Sequence, residues 1–526
     1  MASKLPPSIF NDVLGPVMRG PSSSHSAASV RIGRLARDLC GGDPDRVLVE
    51  FDTEGSLATT HESQGSDMGL FGGLLGWEAD DERLPQSAAA LKAAGVDLEI
   101  RIAKLDDPHP NTYRLKLWKG ERAHELVAIS TGGGMIEVIE IDGYRTSLFG
   151  DYDVTLVPSA DRGPEIARAL KESGSFDRIE CLGNGPFLVV ICGRDPATSA
   201  VLESAGWDSD GVRRLQRVLP VGSRRDLSVP FLHAGEMLKT GDPSQRRLSD
   251  WALEYECERG ALDEAAVFDS MRRLLGIMRR GVEVGIAGTE YGDRILGWQS
   301  GRFQELMNRG ALLDGGLLNR MILYVTALME AKSSMQVIVA APTAGSCATF
   351  PGACLAAADA LEASEEQTLR AMLSAGLIGV FVATRSSFAA EVGGCQAETG
   401  AGAAMAAAAL IELAGGTADM ALSAASQALQ NVLGLICDPV ANRVEAPCLG
   451  RNVTGAANAL SCANMALAGY DHLIPLDEVL DAHREVSERM ARELRCTALG
   501  GLSITPTSKA IEAKLCQGCG TQAAKS

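Results

Sequence analysis

GGCQAETGAGAAMAAAALIELAGG, residues 393–416, decides how the second half of this chain must be read. From Thr399 to Ile411 it carries no charge, and its alanines give a helix that is apolar all round, the pattern of a helix inside a core. It is too short to cross a bilayer, as is AMLSAGLIGVFVAT between Arg370 and Arg385, so both are expected to be buried core helices. The stretch opens on Cys395 beside two glycines, which bend the backbone next to the sulfur. A buried helix and a thiol at a turn thus lie within one run of sequence.

Outward from it, helical apolar spacing recurs in ALDEAAVFDSMRRLLGIMRRGVEVG, LLNRMILYVTALMEA, GACLAAADALEA, MALSAASQALQNVLG, GAANALSCANMALAG and LDEVLDAHREVSERMARELR. Residues 231–526 therefore read as a large all-α domain. LPVGSRRDLSVP, within 219–230, is rich in Pro, Gly, Ser and Arg and reads as a linker. Residues 1–152 mix helical patterns with strand-like runs such as VLVEFDTEG, VDLEIRIAKL and ELVAISTGGGMIEVIEIDGY, predicting an α/β domain. Within 153–218 the order is strand, helix, strand, strand, helix, strand. That βαββαβ order predicts a small two-layer unit of the kind often used to bind regulatory ligands.

Length and charge narrow the function. A chain of 526 residues exceeds one core and calls for several domains. A net charge of −18 argues against nucleic-acid or anionic-membrane binding, which would need a basic footprint. Thirteen cysteines without a dense pairing pattern do not form a secreted disulfide scaffold, and MASKLPPSIFNDVLG lacks the apolar core of a signal peptide. A cytoplasmic homodimer without a membrane segment is expected.

Polar motifs gather at predicted turns. RGPSSSHS (19–26) offers Ser22, Ser23, Ser24 and His25, hydroxyls and one imidazole suited to an oxyanion, with Ser24 or Ser26 also able to cap the helix that follows. EGSLATTHESQGSD (54–67) is a second such cluster. AAPTAGSCATFPG (340–352) precedes a helix start, an anion-friendly geometry, but lacks the Gly-Lys-Ser/Thr ending of a phosphate loop. Cys395, Cys437 in LICDPV and Cys448 in EAPCLGRN each stand beside Gly or Pro, and the fold would have to bring them together. Three thiolates suit a metal site with one position open to substrate, though buried cysteines are also common core residues. LCQGCG adds Cys516 and Cys519 near the C-terminus.

These motifs resemble the bacterial iron–sulfur L-serine dehydratases over nearly the whole chain. GPVMRGPSSSHSAASVRIG, GSLATT, DDERLP, DPHPNT and STGGGMIEVIEIDGY resemble the β-chain, and the βαββαβ region falls where that chain carries an ACT-like domain. AAPTAGS, GGCQAETG, LGLICDPV, APCLGRN and GGLSITPT resemble the α-chain, so the two chains look fused head to tail. The resemblance implies a [4Fe–4S] cluster on Cys395, Cys437 and Cys448, with an iron free of cysteine to bind substrate. It implies water elimination from L-serine, giving pyruvate and ammonia. His25, Ser24, Thr343 and Ser346 are placed as catalytic groups, and Ser22, Ser23, Gly345, Gln64, Lys332 and Arg385 as substrate contacts. Cys496, Cys516 or Cys519 are candidates for capping the fourth iron.

Five positions depart from the family's usual pattern. Gln64 in SQGSD stands for a histidine, for which His61 is a possible substitute. Lys332 in KSSMQ and Arg385 in TRSSF stand for asparagines. Arg19 and Arg443 stand where the family is usually uncharged. Four added cations suggest a substrate with a second carboxylate, such as 2-(hydroxymethyl)glutarate or another β-hydroxy dicarboxylate. The lost histidine suggests, alternatively, a catalytically silent sensor that keeps the cluster.

Overall fold

The computed structural model describes residues 5–207 and 211–523, with side chains described to residue 515. In the N-terminal part, alternation of apolar and polar residues builds a six-stranded sheet. Its spatial order is Asp97–Ala103, Arg46–Asp52, Thr112–Lys119, Arg122–Gly132, Met135–Ile141, Tyr144–Leu148. The first two of these run parallel and the rest antiparallel. Val47, Val49, Phe51, Leu115, Leu117 and Leu126 point to one face and form a core with helix Ala28–Cys40. The last hairpin turns at Asp142-Gly143, both with positive φ, the twist a two-residue turn needs.

Helix Ser66–Leu74 crosses helix Ala28–Cys40 backbone to backbone. A methyl added at Gly73 would sit 2.2 Å from the Val30 carbonyl oxygen, and one at Gly69 only 2.1 Å from that of Ser26. No side chain larger than hydrogen fits there, and the contact fixes the Ser66–Leu74 helix against the turn that carries His25.

The βαββαβ order of 153–218 is present. Strands Asp153–Ser159, Arg178–Leu182, Phe187–Gly193 and Arg213–Leu215 form an antiparallel sheet, with helices Gly163–Ser173 and Ser199–Ser204 between them. Their core, including Val157, Ile166, Leu170 and Val189, is separate from the others.

The rest is helical except for the two-residue strand Ile338–Val339, so the domain expected to be all-α carries one strand, paired to the N-terminal part. Helix Ala401–Leu413 is buried from Ala401 to Glu412, as its uniform apolar surface predicts, and helices Thr349–Ala360, Glu365–Arg385, Ala418–Gln430 and Cys448–Leu467 pack around it. Its one charge, Glu412, is held by Arg247, Ser249 and Ser374. Helix Glu365–Arg385 is long and apolar enough to cross a membrane, and 78% of its most apolar window is buried inside the protein.

The halves interlock more than the linker suggests. Ile9, Phe10, Val13, Leu14 and Met18 join the helical core, and Val17-Met18 pairs antiparallel with Ile338-Val339. The Gly132–Gly134 hairpin tip abuts Ala389, Pro342 and Pro16. The N-terminal motifs and the helical motifs are thereby brought to one place.

Candidate active site

Four cysteines, not three, converge. Cys395 follows the short helix Ala390–Gly393, Cys437 lies in the loop after helix Ala418–Gln430, and Cys448 opens helix Cys448–Leu467. Cys496 joins them because its strand-like segment bridges Cys437, with Cys496 N–H donating to the Cys437 carbonyl at 3.2 Å. All four are buried. The sulfurs of Cys395 and Cys437 and a carboxylate oxygen of Glu398 lie within 4.8 Å of one another. The thiol of Cys437 is in hydrogen-bond reach of both Cys395 and Cys496. Those two neighbours, and then burial, hold it well above the ordinary thiol range. Burial and then Cys395 do the same to Cys448. A soft metal centre that replaces protons with positive charge is what such a donor set fits. Arg451 donates to the Cys395 sulfur at 3.2 Å and to Asp438.

Gln64 reaches this cage from the N-terminal half. Its amide donates to Asn442 Oδ1 at 3.0 Å and to the Cys496 sulfur at 3.4 Å, and its Oε1 faces the Cys496 thiol at 3.6 Å. His61 turns instead to Asp67, with Nδ1 2.9 Å from the carboxylate. Burial lowers the His61 imidazole, but Asp67 outweighs it and leaves His61 raised.

The SSSH run and the TAGS turn meet directly, as Ala344 N–H donates to Ser23 Oγ at 3.2 Å. Ser24 and Ser26 do not cap the following helix. Ser23–Ala27 winds as a wider helical turn, Ala27 occupies the cap position, and Ser26 Oγ donates to the Gln64 carbonyl. His25 is fully buried, with Ser22 Oγ 2.9 Å from Nδ1 and Thr60 Oγ1 2.8 Å from Nε2. Burial, and then nearby His61, lower its imidazole to about 3, so it is neutral near pH 7.

Two carboxylates that the residue pattern did not single out complete the group. Glu391 Oε1 lies 3.4 Å from His25 Nδ1, while its buried Oε2 has no hydrogen-bond partner among the described residues. Burial and then Glu398 push its carboxyl up to about 7, against the pull of its own backbone, Asn111 and Ser24. Glu398 accepts from Thr343 Oγ1 at 2.6 Å. Burial raises it too, opposed by Thr343, Lys332 and Arg451. Ser346 Oγ is 3.2 Å from Thr343 Oγ1, and a methyl on Gly345 would strike Glu398 at 2.6 Å.

The TAGS turn differs from the anion site its sequence predicts. The start of helix Thr349–Ala360 is already filled by Asn452 Oδ1, which accepts from Ala348 N–H, Thr349 N–H and Thr349 Oγ1. The carboxyl group at this turn is that of Glu398, supplied by the chain.

The added cations are mostly engaged elsewhere. Arg385 is bound to Asp481 at 2.6 Å and Arg443 to Asp293 at 2.7 Å, while Arg19 donates to the carbonyls of Asp80 and Met335. Arg385 is thus not brought to the thiols. Lys332 is. Its buried ammonium donates to the Val444 carbonyl and acts electrostatically on Glu398, Cys347 and Cys448. A cavity of about 300 Å³ runs from Lys332 to Asp67 and Glu62. The side chains of Cys516 and Cys519 lie outside the described residues.

A family model described as serine dehydratase alpha chain matches residues 243–503. A probable L-serine dehydratase alpha chain of Bacillus subtilis (strain 168) is 37% identical over 285 residues, 54% of this chain and 95% of that protein. The probable beta chain of the same organism is 41% identical over 160 residues, 30% of this chain and 71% of its own length. An L-serine dehydratase of Streptomyces coelicolor is 28% identical over 497 residues, 92% of this chain and 96% of its own.

Proposed function

Because this chain belongs to the L-serine dehydratase family, with β-chain and α-chain counterparts fused, we propose an iron–sulfur lyase that eliminates water from a β-hydroxy acid, L-serine by default. The observation that carries this reading is the meeting of buried thiols with the SSSH and TAGS turns around Glu391 and Glu398. Cys395, Cys437 and Cys448 would hold a [4Fe–4S] cluster, and Cys496 would stay a thiol steadied by Gln64. When bound, such a cluster supplies a Lewis-acidic iron to the substrate's hydroxyl and carboxylate.

The chain's own residues supply the rest. Elimination requires removal of a weakly acidic α-proton, which needs a base held in fixed geometry. Neutral His25, steadied at both ring nitrogens, and Glu391, with Oε2 unpaired, form an acid–base pair driven apart by burial. Ser24 lies beside Glu391, and Ser22 orients His25. Thr343, with Ser346 and Gly345, fixes Glu398. Lys332 is the added cation positioned to meet an anionic substrate group. Enclosure of these groups excludes water, which strengthens each interaction. The βαββαβ unit is proposed to be ACT-like.

Anaerobic reconstitution with iron and sulfide, followed by substrate assay, tests the reading. Broad visible absorption with pyruvate formation from L-serine is expected. Alkene formation from 2-(hydroxymethyl)glutarate without serine turnover would move the substrate to a dicarboxylate. A loaded cluster with no turnover of either would leave a sensor.

A further inference from the structure

A cavity of about 820 Å³ opens where the six-stranded part, the four-stranded unit and the helical half meet. Six arginines line it: Arg31 and Arg34 from helix Ala28–Cys40, Arg194 and Arg217 from the four-stranded unit and its exit, Arg224 from the linker, and Arg273 from helix Glu264–Ala287. Against them stand two lining carboxylates, Glu78 and Asp80. In a chain of net charge −18 this is a local reversal of sign. A concave wall of one charge concentrates ions of the other.

Three of the arginines have structural partners. Arg34 pairs with Glu78 at 2.6 Å, Arg31 donates to the Gly134 carbonyl, and Arg224 donates to the Arg259 and Glu258 carbonyls. The guanidiniums of Arg194, Arg217 and Arg273 have no ion pair or hydrogen bond among the described residues, and each comes from a different segment. Guanidinium forks match carboxylate and phosphate oxygens in pairs, and three unpaired forks exceed what one monoanion can satisfy.

We propose that this cavity binds a small organic anion with at least two charged oxygen groups, a phosphate ester or a dicarboxylate, through Arg194, Arg217 and Arg273. The site is separate from the thiol cage and does not depend on the lyase reading. Its walls nevertheless continue into the active-site turns. The Pro16 carbonyl accepts from Ala340 N–H at 3.0 Å, three residues before Thr343, and Arg31 stands on the helix that follows the His25 turn. Occupancy is expected to reach both turns through these contacts.

Calorimetric titration of the full chain at low ionic strength with inorganic phosphate, glycerol 3-phosphate and succinate tests this. Saturable binding of at least one probe, one per chain, is expected. It should weaken about tenfold or more in the Arg217→Gln/Arg273→Gln double variant and stay unchanged in Arg309→Gln, an exposed arginine just past the end of another helix. Preference for glycerol 3-phosphate assigns a phosphate ester, and preference for succinate a dicarboxylate. No saturable binding up to about 10 mM of any probe, or equal binding by the double variant, overturns the site. Binding that leaves turnover of the loaded enzyme unchanged overturns the coupling.

Discussion

Gly69→Ala tests whether the crossing of helices Ser66–Leu74 and Ala28–Cys40 sets the geometry at His25. The new methyl would lie 2.1 Å from the Ser26 carbonyl oxygen and 2.2 Å from Ser29 Oγ. Ordinary contact needs about 3.4 Å, so the two segments must separate by roughly 1 Å. Overpacking of this kind costs about 1–3 kcal/mol. The gain in helix propensity from Gly to Ala offsets up to ~1 kcal/mol of that. With the full offset the net loss of stability is small, about 0–2 kcal/mol. Function should suffer more, because Ser26 adjoins His25, whose ring is held at 2.9 and 2.8 Å by Ser22 and Thr60. A displacement of ~1 Å there costs on the order of 100-fold in kcat/KM. Gly276→Ala serves as the control, since its methyl meets nothing within 4 Å. That change should stabilise slightly and leave turnover intact. Thermal melts and steady-state assays of both variants decide it. A Gly69→Ala enzyme with unchanged Tm and turnover would refute the backbone contact.

Three further outcomes are expected. Cys437→Ser should lose bound iron and visible absorption after reconstitution, while Cys496→Ser should keep both, and equal loss in the two would contradict the proposed ligand set. Thr343→Val removes the hydroxyl that donates to Glu398, so kcat should fall about 10–100-fold with iron content unchanged, since a hydrogen bond to a charged group contributes ~1.5–3 kcal/mol. Glu256, which accepts from Ser8 Oγ and Ile9 N–H, has its carboxyl pushed up to about 7 by burial from an ordinary 4.5. The folded state then binds more protons than the unfolded state between those values, so this group's contribution to stability declines as pH rises through that window, by up to ~3 kcal/mol. Denaturant melts should show Glu256→Gln gaining on the wild type from about pH 5 to about pH 8, across the window between the unfolded and folded values. A constant gap would sink that account.

The parts legible in the sequence are those fixed by local pattern. The alternation of residues 153–218 gave the βαββαβ order because each strand and turn is self-contained. The alanine run at 401–413 announced a buried helix for the same reason. Turn-formers beside Cys395, Cys437 and Cys448 marked three of the converging thiols. What stayed hidden depends on partners far along the chain. Cys496 has no such local signal: only the family resemblance offered it, as one of three capping candidates, and it arrives through the bridge of its neighbour Arg495 to Cys437. Glu398 lies inside the quoted GGCQAETG motif and Glu391 four residues before Cys395, yet their roles follow only from Thr343 and His25 coming near. Arg385 and Arg443 read as free cations until Asp481 and Asp293, 96 and 150 positions away, neutralise them. Asn452 likewise fills a helix start 103 positions off.

The pairing of Val17-Met18 with Ile338-Val339 has a consequence during synthesis. Ile9, Val13 and Met18 leave the ribosome early, but the helices that bury them are made more than three hundred residues later. At ~5–20 residues per second that leaves an apolar segment uncovered for about 15 to 65 seconds. Chaperone dependence during translation should therefore concentrate on residues 9–18, and slowing the ribosome should reduce the soluble yield.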